Sequence, residues 1–424
     1  MEIIVKPGRT EWSGLLKRPQ IDNSVIVPRV NEILNAVKTE GDEALRRFAK
    51  QFDNCEISDL KVTDEEIAEA EKNITPELAD AIKKAAENIR KFHSAQEYKG
   101  IEVNIASGIK CIQKSVPIQT VGIYIPGGTA PLFSTVLMLA IPAKIAGCPE
   151  VVMCTPTNKE GKIAPAILYA AKLCGVTEIF KTGGAQAIGA MAYGTESIPK
   201  TEKIFGPGNQ YVTVAKQQVS LINTAIDMPA GPSEVMVLAD KTANPSFVAA
   251  DLLSQAEHGA DSQSILVTDS EEFAKAVDIE VTQQLTYLSR KNLAEKSVAH
   301  SRLIVLSGRD EIIEMANLYA AEHLIVSMDN PWKIADKITS AGSIFIGNYT
   351  PESAGDYASG TNHTLPTNGW ATAYSGVNLD SFNKKITYQE ITREGLEKLA
   401  PVIDTMAVTE VLDAHANAVR IRLK

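Results

Sequence analysis

Four of the chain's six histidines fall in polar, glycine-containing or acid-flanked contexts late in the sequence: SQAEHG at His258, AAEHL at His323, SGTNH at His363 and DAHAN at His415. Imidazole serves both as a metal ligand and as an acid or base near neutrality. In DLLSQAEHG, Gln255 and His258 stand three residues apart near a helix end that Gly259 should terminate, so both side chains project from one face. That pair could grip one metal ion; the plainer reading is a histidine resting against the negative end of a helix dipole. Glu322 and His323 open an expected strand, where adjacent side chains point to opposite faces unless the chain bends at the entrance. An acid–base pair and an ordinary exposed pair both fit. The run SAGDYASGTNH (353–363) is too small, polar and glycine-rich for a core element. It reads either as a surface connection or as a site loop presenting Asp356, Asn362 and His363 from a rigid scaffold. His93, beside an apolar helical stripe, reads as a packed or surface residue without chemistry.

The elements that must hold these groups follow from periodicity. Thr75-Pro76-Glu77 is an N-cap with proline at the first helical position, and Leu78, Ile82, Ala85, Ile89 and Phe92 recur at helical spacing after it. From Thr120, short β-rich runs alternate with helices: TVGIYI, EVVMC, EIFK and EKIF, each followed by a helical segment. A second series runs through EVMVLAD (234–240), SILVT, RLIVL, HLIVS and SIFIG. Alternation of this kind predicts parallel, doubly wound sheets in two α/β units, with the boundary at Ala230-Gly231-Pro232. After Ser375-Gly376 the alternation stops and a mainly helical tail follows.

Composition narrows the partners. With 424 residues, 44% hydrophobic and 22% charged, the chain can bury more than one core. A net charge of -10 leaves no basic field for phosphates, which argues against nucleic acid as a main partner. The start, MEIIVKPGRTEWSGLL, lacks a basic segment followed by an apolar stretch, so no secretory signal is expected. The most apolar stretch, Leu132 to Gly147, is broken by Pro142 and Lys144 and falls short of a bilayer span. The five cysteines (Cys55, Cys111, Cys148, Cys154, Cys174) are odd in number and without a C-x-x-C pair, which fits a reducing, cytoplasmic setting and small buried hydrophobes. Neither Ile125-Pro126-Gly127-Gly128-Thr129 nor Gly206-Pro207-Gly208-Asn209 completes a G-x-G-x-x-G fingerprint, though both let backbone approach a ligand. The residues alone therefore describe an α/β enzyme with a candidate N/O-ligand metal site, and leave a dehydrogenase and a metallohydrolase both open.

The segments GIYIPGGTAPLFSTVLMLAIPAKIAG, TGGAQAIGA, KIFGPGN, AIDMPAGPSEV, DLLSQAEHGADSQ, EHLI and PESAGDYASGTNH resemble, in order and spacing, the histidinol dehydrogenase family. The resemblance runs from about residue 20 to the end. It implies a homodimer of two incomplete Rossmann-like parallel-sheet domains. Residues 1–19 would form an N-terminal extension, 20–123 with 233–377 a discontinuous domain carrying the catalytic and metal residues, and 124–232 the NAD-contacting domain. Residues 378–424 would be a helical tail exchanged with the partner subunit. By the same resemblance, Gln255, His258 and Asp356 match zinc ligands, and His415 matches the ligand from the other subunit, with one ion per subunit. Glu322 and His323 match the catalytic pair; Ser233 and Glu410, together with His323 and the metal ligands, match substrate contacts; Tyr124, Gln186 and Asn209 match NAD contacts.

The implied reaction oxidises L-histidinol to L-histidine through the aldehyde, in the last steps of histidine biosynthesis. Zinc would clamp the substrate's amine and imidazole, His323 would take the hydroxyl proton, and Glu322 would activate water for the second oxidation. His363 is expected to support the Asp356 loop. The alternatives are a zinc- and NAD-dependent dehydrogenase of another diol or amino alcohol, against which Glu410 and His415 speak, a zinc hydrolase needing no nicotinamide, and a non-catalytic metal-binding scaffold.

Overall fold

The computed structural model describes residues 1–19, 23–127 and 130–424, so Gly128 and Thr129 of the first glycine turn lie outside the described residues. The chain begins with strand β1 (Glu2–Val5) and a short helix α1 (Trp12–Leu15), then runs through α2 (Asn23–Glu40), α3 (Asp42–Phe52), α4 (Asp64–Lys72) and α5 (Pro76–Ser94). As the sequence predicts, Thr75 caps α5, its hydroxyl accepting from Leu78 N at 3.3 Å. A hairpin of β2 (Ile101–Ala106) and β3 (Ile109–Pro117) leads into the first parallel sheet.

That sheet is built from β4 (Thr120–Tyr124), α6 (Phe133–Ala146), β5 (Glu150–Thr155), α7 (Pro165–Cys174), β6 (Glu178–Lys181), α8 (Gly184–Tyr193), β7 (Lys203–Phe205), α9 (Gln210–Ser220) and β8 (Ala225–Ile226). The strand order is β6-β5-β4-β7-β8, all parallel. The order reverses direction between β4 and β7, and it is at such a switch point, beyond the carboxyl ends of the strands, that open α/β sheets bind ligands. One face is covered by α5, α6 and α7 through Ile82, Ile89, Val136 and Ile167. The other is covered by α2, α3, α8 and α9 through Val30, Leu45, Ile188 and Val214.

The second sheet follows the same plan: β9 (Glu234–Ala239), α10 (Pro245–Ala256), β10 (Gln263–Thr268), α11 (Glu271–Gln284), α12 (Lys291–Ala299), β11 (Arg302–Val305), α13 (Arg309–Tyr319), β12 (His323–Ser327), α14 (Pro331–Ala335) and β13 (Ser343–Ile346). Its order is β1-β11-β10-β9-β12-β13. Every residue of β9, β10 and β12 is buried, as expected for central parallel strands covered on both faces. After α15 (Glu352–Tyr357), strand β14 (Asn383–Ile391) pairs antiparallel with β3, and α16 (Arg393–Thr409) and α17 (Asp413–Leu423) pack on each other.

Two placements differ from the sequence-based division. The N-terminal extension is not separate: β1 adds a parallel edge strand to the second sheet against β11. The helices within 23–94, assigned above with the second unit, bury their apolar faces on the first sheet. Periodicity identifies an apolar face but carries no information on which of two sheets receives it. Among the described residues, no helix is long and apolar enough to cross a membrane.

Candidate active site

The site is built at the amino ends of β9 and β12 in the second sheet, with α10 and α15 supplying its other walls. Gln255 is the penultimate residue of α10 and is fully buried, yet neither of its amide atoms has a hydrogen-bond partner among the described residues. Buried polar atoms are rarely left so without a role. His258 follows just past the helix end, its backbone N–H donating to the Gln255 carbonyl at 3.2 Å, and its ring is open to solvent on one side. On α15, Glu352 and Asp356 are one helical turn apart and so face the same way. One ligand atom from each of His258, Glu352 and Asp356 lies within 4.8 Å of the others.

Glu322 and His323 meet this cluster because the chain turns sharply before β12: α13 ends at Tyr319, and Ala320 takes a left-handed φ of 51°. Both catalytic-type side chains are thereby brought into one cleft, with Glu322 Oε2 3.7 Å from His323 Nδ1. His323 Nδ1 is also 3.8 Å from Glu352 Oε1, and Nε2 is 3.6 Å from Asp356 Oδ1. Burial disfavours the imidazolium, but the carboxylates of Glu352, Glu322 and Asp356 outweigh it and push the His323 pKa up to about 10. Glu322 is pushed up to about 7 by burial, although the His323 charge opposes the shift. Glu352 rises to about 8, again because it is buried. Three carboxylates around one imidazole form an excess of negative charge, and a cation held among them would lower the field that keeps His323 protonated.

His363 supports Asp356 from behind, Nδ1 lying 2.9 Å from the Asp356 carbonyl and Nε2 3.3 Å from Thr135 Oγ1 on α6. The loop is thus tied to the first sheet's layer. Asn362 ties it again, donating to the Met138 carbonyl at 2.6 Å, and its amide nitrogen lies 3.4 Å from Nε2 of His93. His93 is packed, as expected, with Nδ1 2.9 Å from the Ile89 carbonyl. Ser233 precedes β9 and lines a small cavity together with Arg18, Asp261 and Asn368.

The expected nucleotide residues gather at the other sheet's switch point. Tyr124 ends β4, and its hydroxyl accepts from Gly184 N at 3.1 Å at the start of α8, which carries the buried Gln186. Asn209 caps α9, its side chain accepting from Val212 N at 3.1 Å. Gly206 has φ 123°, and a Cβ there would fall on the Tyr124 carbonyl oxygen, so only glycine lets β7 leave the sheet this close to β4. The loop is held by buried Lys216, whose Nζ donates to the Gly206 carbonyl at 2.8 Å and pairs with Asp227 at 2.5 Å.

Glu410 and His415 are not part of this cluster within one chain. Both are exposed on the tail, Glu410 at the end of α16 and His415 on α17, amid exposed Met406, Val408, Val411 and Leu412. Glu352 lies inside PESAGDY, and neither its residue type nor the family resemblance marks it for a role in the sequence. Its spacing of four from Asp356 on a helix was the available signal.

Two Rossmann-like layers, one presenting a nucleotide-type switch point and the other a carboxylate–histidine centre, define an α/β enzyme built on two parallel sheets. Comparison with known proteins narrows the class. Residues 16–423 match the family model described as histidinol dehydrogenase. A histidinol dehydrogenase of Bacteroides fragilis is 58% identical over 424 residues, covering 100% of this chain and 99% of the relative. One of Escherichia coli K12 is 52% identical over 412 residues, covering 96% of this chain and 94% of the relative. The crystal structure of histidinol dehydrogenase from Elizabethkingia anophelis superposes with a TM-score of 0.98 at 52% identity, covering 100% of this chain and 98% of that one. The chain belongs to the histidinol dehydrogenase family, and is therefore an NAD-dependent oxidoreductase acting on a small molecule.

Proposed function

We propose that this protein oxidises L-histidinol to L-histidine through L-histidinaldehyde, consuming two NAD per substrate, as a homodimer whose sites are shared between subunits. The observation that carries this reading is the juxtaposition of a cation-ready donor set with an acid–base pair. His258, Glu352 and Asp356 bring one ligand atom each within 4.8 Å of the others, Asp356 Oδ1 stands 3.6 Å from His323 Nε2, and the Gln255 amide and His323 Nε2 are buried without hydrogen-bond partners among the described residues. An amide oxygen, an imidazole and a carboxylate suit zinc, and without a thiolate they also suit cobalt or manganese. We assign the ligands as Gln255, His258 and Asp356, completed by His415 of a second copy. Bound there, the ion would supply Lewis-acid chemistry to hold the substrate.

Tyr124, Gln186 and Asn209 hold the NAD, which supplies the hydride acceptor in both oxidations. His323 takes the hydroxyl proton as the alcohol becomes the aldehyde. Glu322, buried and titrating near neutrality, takes a proton from the water that adds to the aldehyde, and the resulting gem-diol is the species oxidised to the acid. Ser233, and Glu410 of the second copy, bind the substrate. The apolar tail surface of Met406, Val408, Val411 and Leu412 supports burial against that copy. Holding the substrate through the metal would limit escape of the aldehyde between the two oxidations.

The test is NADH yield with limiting L-histidinol, before and after chelation of metal. Two NADH per histidinol, abolished by chelation and restored by zinc, is the expected result. A yield of one reduces the enzyme to a simple alcohol dehydrogenase, and no NADH overturns the substrate assignment.

A further inference from the structure

We propose that Arg18 is a positioning residue for Glu322, acting from the N-terminal segment through Glu234 and Tyr319. Arg18 belongs to no motif and lies between α1 and α2. Its guanidinium forks onto the buried Glu234 carboxylate, Nε donating to Oε2 at 2.5 Å and Nη2 to Oε1 at 2.8 Å. Nη2 also donates to the Tyr319 carbonyl at 2.5 Å, and the cation stands 4.0 Å from the centre of the Tyr319 ring. The Tyr319 hydroxyl completes the network by donating to Gln263 Oε1 at 2.8 Å. A two-toothed contact of this kind fixes orientation as well as charge, which a lysine cannot reproduce.

The two points that Arg18 ties together flank Glu322. Glu234 opens β9, and its backbone N–H donates to Glu322 Oε2 at 3.0 Å, the one hydrogen bond that the Glu322 carboxylate accepts among the described residues. Tyr319 ends α13, and the reversal through Ala320 that delivers Glu322 starts from it. The guanidinium therefore fixes both the donor that orients the carboxylate and the origin of the turn that carries it. His323 has further constraints of its own: Glu352 and Asp356 stand against it from α15, 3.8 Å and 3.6 Å away, and the Glu234 carbonyl lies 3.4 Å from Nδ1. Loosening Arg18 falls mainly on Glu322.

This inference rests on the assignment of water activation to Glu322, and the experiment separates the two. The intact holoenzyme is compared as Arg18→Lys, Arg18→Gln and Glu322→Gln in two half-reactions: histidinol with an aldehyde trap, and L-histidinaldehyde supplied directly. For the Arg18 variants, kcat for aldehyde oxidation should fall about tenfold or more with KM little changed, while the first oxidation stays within about threefold of wild type. Arg18→Lys should recover part of the loss. Equal losses in both half-reactions, or none, overturn the positioning role provided that Glu322→Gln slows aldehyde oxidation selectively. If Glu322→Gln shows no such selectivity, the Glu322 assignment fails and the inference falls with it. Should Arg18→Gln not fold, Arg18→Lys keeps the charge and carries the test.

Discussion

Glu322 gains a pKa near neutrality from burial, yet accepts a hydrogen bond from Glu234 that keeps its ionised form accessible. Glu322→Gln should therefore stop the reaction after its first oxidation. NADH yield per histidinol is expected to drop from two toward one, with aldehyde oxidation slowed about 10²–10⁴-fold; an unchanged yield would remove Glu322 from the second step. Asp251 on α10 shows burial acting on stability instead. Its carboxyl is pushed up from 3.8 to about 7 by burial, with only the Glu352 backbone hydrogen bond opposing. A raised acid favours the protonated folded state, so the ionised form costs stability progressively as pH rises from the unfolded value through 7. Asp251→Asn should raise the melting temperature at pH above 7 and lose that advantage near pH 4, the difference corresponding to roughly 2–4 kcal/mol. A pH-independent difference between the two melting curves would contradict this account.

At the scale of elements, the site depends on how strands are entered and left. The left-handed Ala320 before β12 brings Glu322 and His323 into one cleft, although neighbouring strand residues would otherwise diverge. On the first sheet, Gly206 lets β7 leave beside the Tyr124 carbonyl. Gly206→Ala should raise KM for NAD about tenfold while histidinol binding, measured by calorimetry on the zinc form, stays unchanged; the backbone strain is about 1–3 kcal/mol. Equal weakening of both ligands would mean that this turn does not serve the nucleotide specifically.

The whole molecule carries two parallel sheets that share one winding order over five strands, the second extended at its edge by β1, with the candidate residues at the carboxyl ends of strands in the first and at the amino ends in the second. Thr135 on α6 and the Asp356 loop are linked through His363, so the two layers are held in register at the site. The tail leaves His415 and Glu410 exposed beside apolar side chains, and in the proposed shared site a second copy completes the donor set. Refolding a mixture of His415→Asn and Glu322→Gln should restore about a quarter of wild-type activity, since half of the random dimers would carry one intact site. No recovery in demonstrated heterodimers would rule out the shared site.

The sequence by itself determined the alternation of strands and helices, the capped start of α5 and the long motifs that carry the family resemblance, because local pattern and turn chemistry are written in short windows. It also placed Gln255, His258, Glu322, His323 and Asp356 under suspicion, since their types are chemical and their surroundings are not those of a core. Tertiary structure alone decided that α2, α3 and α5 cover the first sheet, that β1 edges the second, and that Glu352 joins the centre. It also brought Arg18, more than 200 residues away in sequence, onto Glu234. These are long-range matings of one apolar face or one charge with another. Nothing in a local window states the partner, because burial and ion pairing are properties of the space two segments come to share.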